Sequence, residues 1–125
     1  MIYGIGTDLV DPARIARSLE RHGERFAKRV LAEPEWSDYT ENTKPALFLA
    51  KRFAAKEAFS KAAGTGLRAP VVFENIVVLH DALGKPYFEF FPELADWIEQ
   101  RGIIGHHLSI SDELTLASAF VILEK

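Results

Sequence analysis

Residues 45–63 constrain the fold more than any other stretch. Lys44-Pro45 opens the run with proline at the first helical position, and Gly64 closes it where glycine suits the residue after a helix. The spacing between these marks predicts one long helix. Its second half, Arg52-Phe53-Ala54-Ala55-Lys56-Glu57-Ala58-Phe59-Ser60-Lys61, is expected to be apolar on one side. The other side is expected to carry a single acid, Glu57, with Arg52, Lys56 and Ser60 as an adjacent stripe at four-residue spacing. With Lys44 just outside its start, and Lys51 and Lys61, the helix has five bases for one acid.

The flanking segments supply a sheet. Residues 2–10 are apolar with two glycines and read as a strand. Asp11-Pro12 starts a helix, in which Ile15, Leu19, His22, Phe26 and Val30 mark the expected buried face and Gly23 a break. Glu33-Pro34 marks another break, followed by a short helical piece to about Asn42. Phe73–Leu79 and Tyr87–Phe91 read as a hairpin around the turn Asp81–Pro86. Pro92 starts a short helix ending at Gly102, with Leu94, Ala95 and Ile98 inward. His107–Ser111 and Thr115–Leu123 read as two more strands, joined by a Ser-Asp-Glu turn. The expected architecture is α+β, an antiparallel sheet packed against a long central helix and shorter helices, in a single domain spanning 1–125.

Bulk properties exclude several function classes. The net charge of −3 gives no general footprint for nucleic acid. The absence of cysteine excludes a disulfide framework, a thiolate zinc site and a cysteine nucleophile, and suits a reducing cytosol. Met-Ile-Tyr-Gly-Ile-Gly-Thr-Asp lacks the basic start of a signal peptide, and the apolar run Leu116–Leu123 is too short to span a bilayer. A cytoplasmic protein with no membrane or nucleic-acid partner is the expectation.

Two lone acids suggest chemistry. On a regular strand Asp8 points to the same face as Ile2, Gly4 and Gly6, small neighbours that leave room for a ligand or another element. It either caps the turn that follows or ligates a metal. Glu57 and Lys61 lie a turn apart, as a surface ion pair or as part of a site. Magnesium takes one or two protein carboxylates and completes its shell with water and phosphate oxygens. Asp8 and Glu57 supply that number if the fold brings them together, and nearby lysine and arginine would neutralise phosphate charge. Gly64-Thr65-Gly66 either caps the helix or lets its backbone approach a ligand. His107, Ser109 and Ser111 share a strand face, where the histidine either contacts a phosphate or sugar or is a satisfied core residue. His106 points the other way, and His22 and His80 look structural or incidental. Arg14, Arg17, Arg21, Arg25 and Lys28 form a basic ridge on an acidic chain, either a solvated face or a docking surface for an acidic partner.

Taken in order, these motifs resemble the holo-acyl-carrier-protein synthase group of phosphopantetheinyl transferases. Gly4-Ile5-Gly6-Thr7-Asp8-Leu9-Val10 is similar to the family's opening strand, and Arg52–Ala58 with Lys61 to its signature helix. Gly64-Thr65-Gly66, Gly84-Lys85-Pro86 and His107-Leu108-Ser109-Ile110-Ser111-Asp112 follow in family order, so the resemblance covers the whole chain. It implies Mg2+-dependent transfer of 4′-phosphopantetheine from coenzyme A to a serine of apo-acyl carrier protein, releasing adenosine 3′,5′-bisphosphate, in support of fatty acid biosynthesis. It implies Asp8 and Glu57 as metal ligands and Glu57 and Lys61 as catalytic residues. Coenzyme A contacts are implied for Arg52, Lys61, Gly64, Thr65, Gly66, Pro86, His107 and Ser109, and carrier contacts for Arg14, Arg21 and Arg25. A homotrimer with interfacial sites is implied too, with Asp8 and His107 facing a neighbour's helix. Two other readings remain: a non-catalytic module that docks an acidic protein, and a magnesium-dependent phosphohydrolase.

Overall fold

The computed structural model describes residues 1–125. In chain order the elements are β1 (Ile2–Val10), α1 (Pro12–His22), α2 (Glu24–Val30), a single 3-10 turn (Glu33–Glu35), α3 (Trp36–Glu41) and α4 (Pro45–Ala63). A second 3-10 turn (Phe73–Asn75), β2 (Ile76–His80), β3 (Pro86–Phe90), α5 (Pro92–Gln100), β4 (Gly105–Glu113) and β5 (Leu116–Glu124) complete it. The strands are all antiparallel, in a three-stranded sheet ordered β1-β5-β4 and a hairpin β2-β3.

The expected α+β class and the long central helix are both present. Asp11 caps α1 by accepting from the Ala13 N–H at 2.9 Å, and Gly64, with φ of 82°, ends α4 in the left-handed region that glycine tolerates. Helix α4 lies on the inner face of the three-stranded sheet, where Ala54, Ala55, Ala58 and Phe59 meet Val10, Ala117, Ala119, Val121 and Leu123 in one core. Gly4 and Gly6 allow the closest approach. A Cβ on Gly6 would stand 1.9 Å from the Ala58 carbonyl oxygen, and one on Gly4 would stand 2.0 Å from that of Ala62.

Several local expectations are corrected. The long helix is not divided into one apolar and one basic side, because Arg52, Lys56 and Ser60 are buried with the alanines. Phe73–Asn75 is a 3-10 turn rather than strand: its backbone is used elsewhere, the Phe73 carbonyl accepting from Lys56 Nζ at 3.2 Å. The β4–β5 turn is Leu114-Thr115. Asp112 and Glu113 remain in strand β4, paired with Ala117 and Leu116, on positions that face water. A bulge between Ile2 and Gly4 moves Ile2 off the Gly4–Gly6–Asp8 face and out to solvent. His22 is exposed, since α1 ends there and the chain turns at Gly23.

Candidate active site

The close seam between β1 and α4 builds the site. With glycine at 4 and 6, the strand presses against the helix, and Asp8, the next residue on that face, arrives beside Glu57 and Lys61. Lys61 Nζ donates to Asp8 Oδ1 at 3.1 Å and to the Thr7 carbonyl at 2.9 Å. The Glu57 carboxyl is pushed above the usual glutamate value, chiefly by burial and then by the charge of Asp8; Lys61 and Arg14 oppose the shift. Glu57 thus senses the charge of Asp8 across the β1–α4 seam of a single chain, and Asp8, bonded to Lys61, faces its own long helix rather than a neighbour's. No cluster of three or more histidine, cysteine or acidic side chains forms a metal cage, so the protein's offer to a cation here is two carboxylates.

The basic stripe does a different job from the one its spacing suggested. Lys56 is fully buried, Arg52 nearly so, and between them lies Glu35, also fully buried. Glu35 Oε1 accepts from Lys56 Nζ at 2.5 Å and from the Ala32 N–H at 2.7 Å. Its Oε2 accepts from Arg52 Nη1 at 2.9 Å and from the Val78 N–H at 3.1 Å. Lys56 also donates to the Val30 carbonyl at 2.8 Å, and Arg52 to that of Val78. Burial lowers the Lys56 pKa to about 8, against the pull of Glu35 in the other direction. Glu35 was invisible in the sequence, where Glu33-Pro34 marked only a break, because nothing in the spacing of a short loop announces a buried counter-ion.

Arg52 also reaches the wall of a cavity of about 550 Å³ between α3, α4 and the β2–β3 hairpin. Pro86 and Gly84 line it together with Asp38, Lys51 and His80, so Arg52 and Pro86 do come together. His80, expected to be structural or incidental, lines the cavity, and its pKa is lowered by burial and then by Arg52 and Lys51. The Asp8–Glu57–Lys61 group is not in this cavity; it lies further along α4. The loop after α4 stays close to the helix end. The Gly66 N–H donates to the Ser60 carbonyl at 3.2 Å and Thr65 Oγ1 to the Gly66 carbonyl at 2.8 Å.

His107 and Ser109 are not joined to these residues. Leu108 and Ile110 point inward from β4, leaving His107, Ser109 and Ser111 on the outer sheet face, where His107 Nε2 pairs with Glu124 Oε1 at 2.5 Å. Arg14, Arg17, Ser18, Arg21 and His22 line a groove on α1, while Arg25 stands beyond the Gly23 break on α2. Arg14 is also 5.9 Å from the Phe53 ring centroid, which brings one end of the ridge towards Glu57.

Comparison with known proteins agrees with this architecture. The profile of the 4′-phosphopantetheinyl transferase superfamily matches residues 4–117. A holo-[acyl-carrier-protein] synthase of Nitrosomonas eutropha is 78% identical over 125 residues, covering all of both chains. The crystal structure of the holo-[acyl-carrier-protein] synthase of Neisseria meningitidis superposes with a TM-score of 0.98 at 52% identity, again over all of both chains. That of the Bacillus anthracis synthase, in complex with CoA (3′,5′-ADP), superposes with a TM-score of 0.81 at 38% identity over 98% of this chain and 96% of that one. The chain belongs to the 4′-phosphopantetheinyl transferase superfamily and is an enzyme of that class.

Proposed function

We propose that the protein transfers the 4′-phosphopantetheine arm of coenzyme A to a serine hydroxyl of apo-acyl carrier protein, with adenosine 3′,5′-bisphosphate as the other product. The observation that carries this is the meeting of Asp8, Glu57 and Lys61 across the glycine seam. In the transfer the serine oxygen bonds to the β-phosphorus, the bond from that phosphorus to the bridging oxygen breaks, and the bisphosphate leaves. Such a reaction depends on positioning and charge neutralisation more than on covalent help. Lys61, half exposed and fixed by Asp8 and Thr7, meets the pyrophosphate. Glu57 takes the serine proton, directly or through a water, and its raised pKa suits that task.

Asp8 and Glu57 fit Mg2+. Two carboxylates close enough that the charge of Asp8 adds to burial in raising the proton affinity of Glu57 gain from a shared divalent cation, and two is the number magnesium takes beside substrate phosphates. When bound, the ion would supply charge neutralisation at the pyrophosphate. Arg52 and Pro86 contact the nucleotide end through the cavity, with Gly64, Thr65 and Gly66 following the pantetheine side of α4. The arginines of α1, with Arg25, receive the acidic carrier.

His107 and Ser109 join the site from a second copy, in a homotrimer. The outer sheet face supports this: Ile5 is 59% exposed, Leu9 63% and Phe120 44%, a concentration of apolar surface suited to self-association. A cytoplasmic role in fatty acid biosynthesis accompanies this reading. The test is mass spectrometry of apo-acyl carrier protein incubated with the enzyme, magnesium and coenzyme A. A gain of one phosphopantetheine group is expected, lost in Glu57→Gln with the fold intact. Full magnesium-dependent transfer by that variant would refute the assignment, and coenzyme A cleavage without carrier would favour a hydrolase.

A further inference from the structure

The buried cations of α4 outnumber their buried acid, and the surplus is directed. Arg52 is held on three sides. Its guanidinium lies over the Phe48 ring, 4.5 Å from the centroid. Its Nη1 donates to Glu35 Oε2 and to the Val78 carbonyl. Its Nη2 has only Asp38, whose Oδ2 is 4.0 Å away, too far for a hydrogen bond. Glu35 has no exposure and no spare acceptor, since each oxygen already takes two donors. The Asp38 side chain is 58% exposed and lines the cavity. One face of the guanidinium is therefore fixed, and the other is loosely matched by an acid that water already solvates.

We propose that Glu35 is a positioning residue for anion binding: it locks the Nη1 side of Arg52 so that the Nη2 side meets a phosphate of coenzyme A in the cavity, with Asp38 as the weak partner that this phosphate displaces. The proposal rests on the assignment of Arg52 to coenzyme A above, and the ligand group it names is the 3′-phosphate at the nucleotide end. A charged hydrogen bond to a fixed guanidinium is stronger and more selective than one to a mobile one, because the ordering cost is met during folding. Lys56 completes the lock by holding the other oxygen of Glu35, so the carboxylate cannot swing towards the cavity with its arginine.

The test is calorimetric titration of coenzyme A and of dephospho-coenzyme A into the full-length protein with magnesium chloride, alongside transfer kinetics. The wild type is expected to prefer coenzyme A. Glu35→Gln is expected to weaken coenzyme A binding roughly tenfold or more and to erase most of that preference, with the loss in KM rather than kcat. Asp38→Asn is expected to tighten coenzyme A about two- to fivefold and leave dephospho-coenzyme A unchanged. A folded Glu35→Gln protein with full preference overturns the proposal. Should Glu35→Gln not fold, Asp38→Asn decides, and unchanged affinities there overturn it. Arg52→Met separates the two levels: intact coenzyme A binding in that variant removes the assignment of Arg52 itself. Weakened binding in Arg52→Met with none in Glu35→Gln removes only the positioning role.

Discussion

Replacing Gly6 with alanine tests the seam on which the site depends. The added Cβ would meet the Ala58 carbonyl oxygen at 1.9 Å and the Ala62 nitrogen at 2.7 Å, whereas ordinary contact begins at 3.4 Å. Both neighbours are helix backbone, so no rotamer change relieves the clash, and β1 must move away from α4 by 3.4 − 1.9 = 1.5 Å at that point. Overpacking of this kind costs about 1–3 kcal/mol, and at roughly 4 °C per kcal/mol for a domain of this size Tm should fall by about 4–12 °C. Asp8 is two residues further along the displaced strand, and a misplacement of about 1 Å at a reacting centre costs on the order of 100-fold in rate. Circular dichroism melts give the first quantity. Transfer rates to acyl carrier protein, measured well below the lowered Tm, give the second. A Gly6→Ala enzyme with wild-type Tm and wild-type rate would refute the reasoning, and a lowered Tm with an unchanged rate would show that the seam serves packing alone.

Three further outcomes are expected. Lys56 has a folded-state pKa of about 8 against the ordinary lysine value of 10.5, so the unfolded chain binds more protons between those pH values and stability should rise with pH across that window. Denaturant melts from pH 8 to 9.5 should show a gain of at most about 2 kcal/mol, absent in Lys56→Met; an equal slope in both proteins would contradict this. Arg21→Glu with Arg25→Glu should raise KM for acyl carrier protein about tenfold and flatten its rise with salt, leaving KM for coenzyme A unchanged; equal loss for both substrates would give the ridge a structural role. Phe120→Glu, on the exposed outer sheet face, should shift the protein to a smaller species in light scattering and abolish transfer. A wild type that runs as a monomer with full activity would remove the interfacial site.

The helices were legible where chemistry marks their ends. Asp11-Pro12, Lys44-Pro45 and Gly64 state start and stop locally, and the structure follows them. Asp8 and Glu57 stood out because isolated acids in apolar or basic surroundings need a reason, and Lys61 because it lies one helical turn from Glu57. Arg52, Lys56 and Ser60 misled, since a charged stripe at helical spacing reads as a wet face until the one acid that neutralises it is known. Glu35 lies on another segment, and only the fold reveals the pairing. The turn at Leu114-Thr115 was displaced for a related reason. Polar Ser111, Asp112 and Glu113 look like turn residues, yet they belong to strand β4, where their positions face water.

Strand β1 has a single neighbour in its sheet, and that neighbour is β5. The ladder running from Gly4↔Leu123 to Val10↔Ala117 joins segments separated by almost the whole polypeptide. Chain closure over that distance is entropically slow, and on a ribosome the first strand emerges long before its mate is made. Asp8 therefore acquires its position late, in the same event that finishes the sheet. Deleting β5 would remove the partner of the strand that carries Asp8 even though every residue assigned to the chemistry remained in the chain.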